Sequence, residues 1–195
     1  MTGRRHETRL FAATAATLFL LCTLLLSGCS SGVTPMPLTS TAKVDLPRFM
    51  GVWYVIANVP YFGENGNVAS RDEYRLDADG NVATTYVYRK AFDAAEKSIR
   101  SLGIVQADSN NAYWIVRMWW LIRADYLVLE VAPDYSWALI GQPSRKLGWV
   151  FARDARVDAA LYTTLMKKFR GFGYAPERFR RVPQFREQLG AQGFQ

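Results

Sequence analysis

Eight short segments with the pattern of β-strands follow one another through the middle of the chain, and no helical pattern separates them. Apolar and aromatic residues recur at every second position, which is the period of a strand with one face turned to a core. The turn Asp79-Gly80-Asn81 between two segments is a strong hairpin signal. The segments are 45–57, 68–77, 82–90, 98–106, 113–120, 126–131, 137–142 and 147–153.

Strands joined in sequence without helical crossovers favour an antiparallel meander. Eight is the strand number at which such a sheet closes around room for one small ligand. The sequence therefore predicts an all-β fold, an eight-stranded antiparallel up-and-down β-barrel. A β-sandwich is the alternative fold.

The apolar period changes only after the eighth segment. Val157, Leu161, Leu165 and Phe169 lie four residues apart within 157–170, which predicts one C-terminal α-helix packed outside the barrel, with Gly171 capping its end. A helix lying on a membrane surface is the alternative for this apolar stripe. A short ninth strand is predicted over 178–182, and the tail over 184–195 is predicted to be loosely ordered.

The first segment contains a glycine followed by two large aromatic residues. Strict alternation places Trp53, Val55 and Ala57 on one face of the predicted strand. Gly51 allows a bend at the entry, where a side chain would obstruct a close approach to the sheet.

The N-terminus has the organisation of a secretory signal over residues 1–28. Arg4, Arg5 and Arg9 precede an apolar stretch over residues 10–26, and small residues follow before Cys29. A membrane-spanning helix is the alternative, although the stretch of roughly 17 residues is at the lower limit for a span. The sequence Leu-Ser-Gly-Cys at 26–29 is similar to a bacterial lipobox, which implies cleavage before Cys29 and acylation of its thiol.

Removal of this leader would take away His6 and Cys22, leaving a chain without histidine and with one cysteine, Cys29. No disulfide or thiolate nucleophile is then expected, and neither a metal site of the usual nitrogen or sulfur type nor a cofactor. The formal net charge would fall from +7 to +5. In an exported protein the basic balance suits anionic lipid head groups better than nucleic acid, and a solvated surface with no partner is favoured over both. Residues 29–44, rich in Ser, Thr and Pro, are predicted to form a flexible tether before a domain over 45–183.

With this strand order, the chain resembles the lipocalin family, and within it the bacterial outer-membrane lipoprotein branch. Gly51-Val52-Trp53-Tyr54 matches the first family motif, Asp134-Tyr135 matches the second, and Arg153 matches the arginine of the third. The resemblance covers about residues 44–183. It implies that Arg153 packs against Trp53 at the closed end of the barrel. It also implies structural roles for the motif residues Gly51, Trp53, Tyr54, Asp134, Tyr135 and Arg153, and no catalytic role.

The inward faces of the predicted strands would define a largely apolar, aromatic pocket, which suits an acyl chain or another hydrophobe. The predicted ligand-binding residues are Tyr74, Tyr86, Tyr88, Trp114, Val116, Met118, Tyr126, Val128 and Trp149. The alternative is that these side chains fill the barrel. Arg117, Arg123 and Arg89 are candidates to pair with a carboxylate or phosphate head at the rim, and a solvated position on the outer face is the more frequent alternative.

The sequence therefore predicts a lipid-anchored lipocalin that binds, stores or transports fatty acids or lysophospholipids in the bacterial envelope. Ser30 after the acylated cysteine favours the outer membrane by resemblance to other lipoproteins. One alternative is an envelope enzyme acting on a bound lipid, although the predicted domain over 45–183 contains no GxSxG motif. Another is a structural envelope lipoprotein with a filled barrel.

Overall fold

The computed structural model describes residues 37–119 and 121–195. The predicted signal segment over 1–28, the acylated Cys29 and Trp120 lie outside the described residues. No helix within the described ranges is long and apolar enough to cross a membrane.

Nine strands form one sheet in the described part of the chain. The strands are β1 Gly51–Asn58, β2 Val68–Leu76, β3 Val82–Arg89, β4 Lys97–Val105, β5 Tyr113–Met118, β6 Ile122–Val131, β7 Trp137–Gly141, β8 Gly148–Ala152 and β9 Arg180–Arg181. The α-helices of the same ranges are α1 Leu46–Phe49 and α2 Ala159–Gly171, and 3-10 turns lie at Pro176–Arg178 and Arg186–Gln188.

The sheet closes into a barrel because β1 pairs antiparallel with both β2 and β8. Each neighbouring pair from β2 to β8 is also antiparallel and consecutive in sequence. The predicted eight-stranded up-and-down barrel is confirmed. The short strand β9 adds to the outside of the closure by pairing with Ala57 and Asn58.

Most predicted strand bounds agree with the structure within one residue. Residues 46–49 of the first predicted segment form α1 instead of strand, β5 ends two residues before the predicted bound, and the start of β6 differs most from the prediction. Strand β6 begins at Ile122, which pairs with Met118, and not at residue 126. Arg123 and Asp125 lie on the outer face of the strand and interrupt the apolar pattern there. The start of the strand therefore could not be recognised from apolar residues.

The predicted alternation of the first strand is wrong beyond Val55. A register shift between Val55 and Ala57 inserts a bulge against β8. Ala57 consequently packs in the outer apolar cluster, whereas Trp53 and Val55 lie in the inner one. The same shift lets Asn58 face inward, opposite Trp149.

Helix α2 covers one side of the barrel from outside, as the apolar stripe predicts. Leu165, Met166 and Phe169 pack there against outward-facing residues such as Leu139 and Val150. Asp158 caps the helix by accepting a hydrogen bond from the Leu161 amide at 2.7 Å. Gly171 is the last residue of the helix and not its cap, and the glycine with a left-handed φ of 80° is Gly173.

The described start of the chain packs on the barrel earlier than the predicted boundary at residue 45. Leu38 and Val44 are buried, and the Leu38 amide donates to the Pro143 carbonyl at 3.0 Å. A tether extending to residue 44 is therefore too long at its C-terminal end, because these two apolar residues find partners on the barrel.

The C-terminal tail is ordered against the barrel, so its predicted loose order is wrong. Gln184 is buried and its side-chain amide donates to the carbonyls of Val55 and Ser70 at 2.8 and 3.0 Å. Both acceptors lie beside register shifts that leave carbonyls without strand partners. The tail also pairs through an isolated bridge between Arg181 and Phe194.

Candidate functional site

The two ends of the barrel differ in how their interiors are filled, and the closed end is the end where β1 begins. Arg153 lies with its guanidinium carbon 3.9 Å from the centroid of the Trp53 ring. The Trp53 indole donates to the Phe49 carbonyl at 2.7 Å. The pairing that the family resemblance implies is therefore present in the structure.

Arg153 also satisfies the carbonyls of the segment that enters β1. Its guanidinium donates to four of them, those of Arg48, Phe49, Met50 and Val52. Gly51 has a φ of 94°, and a Cβ there would lie 3.3 Å from an Arg153 nitrogen. A glycine suits this position because both its backbone conformation and the close approach of the arginine disfavour a side chain.

The remaining motif residues surround this closed end. The Tyr135 hydroxyl accepts a hydrogen bond from the Asp45 amide at 2.8 Å, and Arg48 lies 4.2 Å above the Tyr135 ring. Asp134 accepts from the Ser136 amide at 3.0 Å within the same turn. Tyr54 faces the other side of the sheet and packs beside the outer cluster.

Aromatic rings fill the barrel directly above Trp53. Trp114 and Tyr126 stack with their centroids 4.7 Å apart, and Phe49 meets the Trp114 ring edge-on at 5.6 Å. The Tyr74 and Tyr126 hydroxyls are 2.9 Å apart and hydrogen-bonded. Tyr74, Trp114, Tyr126 and Val128 are thus inward-facing as predicted, but they are buried among one another.

The other five predicted pocket residues face inward nearer the opposite, open end and remain partly exposed. They are Tyr86, Tyr88, Val116, Met118 and Trp149. The Tyr86 and Tyr88 rings are stacked at 5.1 Å. Partial exposure of inward-facing apolar side chains marks this half of the barrel, the open half, as the candidate binding site.

A buried carboxyl from the loop between β1 and β2 enters the open half. Glu64 is 7% exposed and accepts hydrogen bonds from the Asn58 amide at 2.6 Å and the Trp149 indole at 2.8 Å. The Tyr61 hydroxyl donates to its other oxygen at 3.3 Å. Asn58 Oδ1 has no hydrogen-bond partner in the described part of the chain.

A second carboxyl, Asp72, lies on the inward face of β2 and accepts a hydrogen bond from the Tyr74 hydroxyl at 2.8 Å. Burial raises the pKa of Asp72 to about 7, and the charge of Glu64 adds to the rise. Burial also raises the pKa of Glu64, although its three hydrogen-bond donors oppose the shift. Both groups therefore hold a proton more tightly than a carboxyl in water does.

A polar chain continues from these acids toward the mouth of the barrel. Tyr86 accepts from the Asn67 amide at 3.0 Å and donates to Ser70 at 3.2 Å. Lys90 donates to the Asn67 side-chain oxygen at 2.6 Å and lies 5.4 Å from the centroid of Tyr88. Lys90 is thus a cation placed beside an inward-facing ring at the rim.

The arginines proposed from the sequence to receive a ligand head do not face the pocket. Arg117 and Arg123 are paired across β5 and β6 on the outer face, and Arg89 forms an ion pair with Glu96 at 3.3 Å. Sequence reasoning missed Glu64, because it lies in a loop whose path no alternation pattern predicts. It also missed Lys90, although Lys90 follows Tyr86 and Tyr88 in the alternation of the predicted third strand. Asp72 had a signal, since it shares a face with Tyr74 in the predicted strand.

Two shallow depressions lie on the outer surface and not in the barrel. One, of about 290 Å³, lies between residues 41–43, the end of β6 and Phe172. The other, of about 200 Å³, lies beside Ile115 and Asp125. No group of three or more carboxylate, cysteine or histidine side chains in the described ranges is placed to hold a metal ion.

Comparisons with known proteins agree with this architecture. A model of the lipocalin-like domain matches residues 44–184. Temperature-induced lipocalin-1 of Arabidopsis thaliana is 32% identical over 151 residues, covering 72% of this chain and 80% of the relative. Outer membrane lipoprotein Blc of Vibrio cholerae is 24% identical over 160 residues, covering 80% of this chain and 92% of that protein.

Solved structures show the same fold at low sequence identity. Lobster apocrustacyanin A1 superposes with a TM-score of 0.58 at 17% identity, covering 78% of this chain and 92% of that one. Insecticyanin from the tobacco hornworm Manduca sexta also gives 0.58, at 16% identity, covering 78% of this chain and 85% of that one.

Proposed function

The chain belongs to the lipocalin family, and on that premise we propose that it binds a small hydrophobic ligand in the open half of its barrel. The observation that carries the proposal is the set of five inward-facing side chains that stay partly exposed above a filled floor. Burying these aromatic and aliphatic surfaces against a ligand would release the water that covers them.

The proposed ligand class is a fatty acid or a lysophospholipid. An acyl chain would lie between Tyr88, Met118 and Trp149, and its anionic head would meet Lys90 at the mouth. The raised pKa of Glu64 and of Asp72 is compatible with this assignment, because each acid binds a proton more readily than a carboxyl in water does.

The proposed location is the bacterial outer membrane, with the chain anchored through acylated Cys29 after cleavage of the signal segment over 1–28. Two observations support it, the lipobox-like sequence at 26–29 and the name of the Vibrio cholerae relative. Acyl burial contributes about 0.8 kcal/mol per methylene, so a multiply acylated cysteine would hold the barrel beside a source of lipid.

We propose binding rather than catalysis for this site. Both curated relatives are named as a lipocalin or a lipoprotein. The buried acids Glu64 and Asp72 each accept hydrogen bonds from neighbouring side chains, which suits a role in shaping the polar wall.

Titration with fatty acids and lysophospholipids of graded chain length tests the proposal, read by displacement of a fluorescent fatty acid. The full chain should bind at least one of them in the micromolar range. Val116→Trp, which places a large ring on the inward face of β5, should weaken binding about tenfold or more.

Ile115→Trp is the matched control, because Ile115 is the neighbouring residue on the same strand and faces outward opposite Asp125. It should leave the affinity unchanged. Absence of micromolar binding by every ligand would support a filled structural barrel instead. An equal loss in the two variants would show that the open half is not the site.

A further inference from the structure

Large apolar side chains are exposed at the open end of the barrel on two separate loops. Phe62, between β1 and β2, is 96% exposed, and Trp119 and Leu121, between β5 and β6, are 68% and 71% exposed. In the closed strand order these two loops lie half the circumference apart, on opposite sides of the mouth. A ligand inside the barrel would leave all three side chains in water.

Three exposed arginines lie on the outer face just behind the Trp119 turn. Arg117 and Arg123 are directly opposite each other on β5 and β6. Arg100 lies on β4 one residue beyond the pair of Ser101 and Met118, toward the same turn. Within the described ranges none of the three arginines has a hydrogen bond or ion pair. Like charges directly opposite on neighbouring strands are destabilising, so this arrangement lacks an explanation within the folded chain.

The hairpin loops at the two ends of the barrel differ in charge. The closed-end hairpin loops, 77–81, 106–112 and 132–136, contain aspartates and no lysine or arginine; these are Asp77, Asp79, Asp108 and Asp134. The open-end hairpin loops balance Lys90, Arg145 and Lys146 against Glu64, Asp93 and Glu96, and the three arginines lie just behind them. The exposed Glu96 forms ion pairs with Arg71 and Arg89.

We propose that the open rim docks onto an anionic lipid membrane, with Phe62, Trp119 and Leu121 inserting and Arg100, Arg117 and Arg123 contacting lipid phosphates. A flat surface is the partner that can meet two apolar loops on opposite sides of a mouth at once. Aromatic side chains favour the interfacial depth, and guanidinium groups bind phosphate with paired hydrogen bonds. The acidic hairpin loops of the closed end then point away from such a surface, and the mouth opens onto lipid. This docking is independent of what the barrel binds.

Trp119 is a built-in reporter for the test. The full chain would be reconstituted with phosphatidylcholine vesicles, with and without phosphatidylglycerol, in which part of the acyl chains are brominated. The emission of Trp119 is obtained by subtracting the fluorescence spectrum of the Trp119→Phe variant from that of the unmodified chain. We expect bromine to quench this emission, and phosphatidylglycerol to increase the quenching about twofold or more.

Two double variants and their controls separate docking from the anchor. Phe62→Ser with Leu121→Ser should abolish the quenching, and Arg117→Gln with Arg123→Gln should remove its dependence on phosphatidylglycerol. Val52→Ser, at a 39% exposed apolar residue of the closed end, and Lys43→Gln should change neither. Circular dichroism confirms the fold of each variant.

Quenching that is absent in the unmodified chain, or equal in the Phe62 and Val52 variants, would overturn the proposal. The same holds if sedimentation shows that Phe62→Ser with Leu121→Ser dissociates a dimer in which Trp119 is shielded from lipid. A rim that docks while ligand titration fails would leave this inference intact and refute only the proposed ligand site.

Discussion

The closed end and the open half of this barrel both contain polar groups in the interior, but these groups are hydrogen-bonded in different ways. At the closed end Trp53 and Trp114 are at most 1% exposed, and Arg153 gives its donors to backbone carbonyls. Above this floor the polar groups are titratable acids, Glu64 in the open half and Asp72 beside Tyr74, both held by side-chain donors.

This difference suggests that the residues important for stability lie at the closed end of the barrel and those important for binding at the open end. Neutral carbonyls and packed rings do not change with pH or ligand, which suits the floor of a barrel. Buried acids and partly exposed rings respond to protons and to bound molecules. A substitution at the floor should therefore act on stability, and one in the open half on binding.

The same residue type at the two ends gives the largest contrast. Trp53→Ala removes a fully buried ring and should lower the free energy of unfolding by about 3–5 kcal/mol. Trp149→Ala removes a partly exposed ring and should cost about 1–2 kcal/mol, mostly through the lost hydrogen bond to Glu64. Urea denaturation measures both, and equal losses would contradict the difference in packing between the two ends.

Arg153→Ala tests the second part of the floor. It removes the contact with Trp53 and the donors to four carbonyls, so unfolding should become easier by about 2–3 kcal/mol. The melting temperature should fall by several degrees. Arg156→Ala is the control, because that arginine is 63% exposed and its ion pair with Glu187 should contribute less than about 1 kcal/mol. A melting curve unchanged in Arg153→Ala would count against the role of the pairing.

The dependence of the free energy of unfolding on pH should reveal the titration of the inward-facing acid Asp72. The pKa of Asp72 is raised to about 7 in the folded state, so the folded chain retains a proton that the unfolded chain releases near pH 4. The protonated Asp72 carboxyl therefore contributes its full stabilisation below pH 4, and this contribution is lost as the pH rises through 7. The free energy of unfolding should fall by about 2 kcal/mol over this pH range. This is less than the full pKa shift would give, because Asp72 is partly exposed to solvent.

Asp72→Asn should flatten this part of the profile. Glu73→Gln is its control, since Glu73 is the next residue along β2 and forms an ion pair with Arg71 at 2.9 Å. Thermal unfolding from pH 4 to pH 8 gives the stability of the unmodified chain, Asp72→Asn and Glu73→Gln at each pH. Parallel profiles for the unmodified chain and Asp72→Asn would contradict the burial of this acid.

The smallest predicted effect concerns the head of the ligand. Lys90→Gln should weaken the binding of a fatty acid about fivefold, because it removes the cation at the mouth. The alcohol of the same chain length should bind as before. Lys146→Gln, at another exposed lysine of the open end, should leave both affinities unchanged. An equal loss for acid and alcohol would show that Lys90 acts by shape and not by charge.

The fold could be predicted from the sequence where one face of a strand repeats without interruption. The strands β3 and β8 have clear alternation between turn residues, and the inward positions of Tyr86 and Trp149 follow from it. The bulge in β1 has no such signal, because Ala57 and Asn58 each fit a strand in either register.

The candidate site could be predicted only in part, for a similar reason. Its aromatic wall lies on regular strands, whereas its polar wall depends on contacts between distant segments. Glu64 meets Trp149 across 85 residues of sequence, and Lys90 meets Asn67 across 23. No local pattern encodes such pairs, since they exist only once the barrel has closed.

The indole N–H groups of the tryptophans offer the most direct test of the division into floor and pocket. Nuclear magnetic resonance spectra of the chain would be followed during titration with the tightest-binding fatty acid. The Trp149 indole, which donates to Glu64 in the open half, should shift with saturation. The indoles of Trp53 and Trp114, which donate to the Phe49 and Asn111 carbonyls, should stay fixed. Shifts at Trp53 and Trp114 with none at Trp149 would contradict the assignment of binding to the open half.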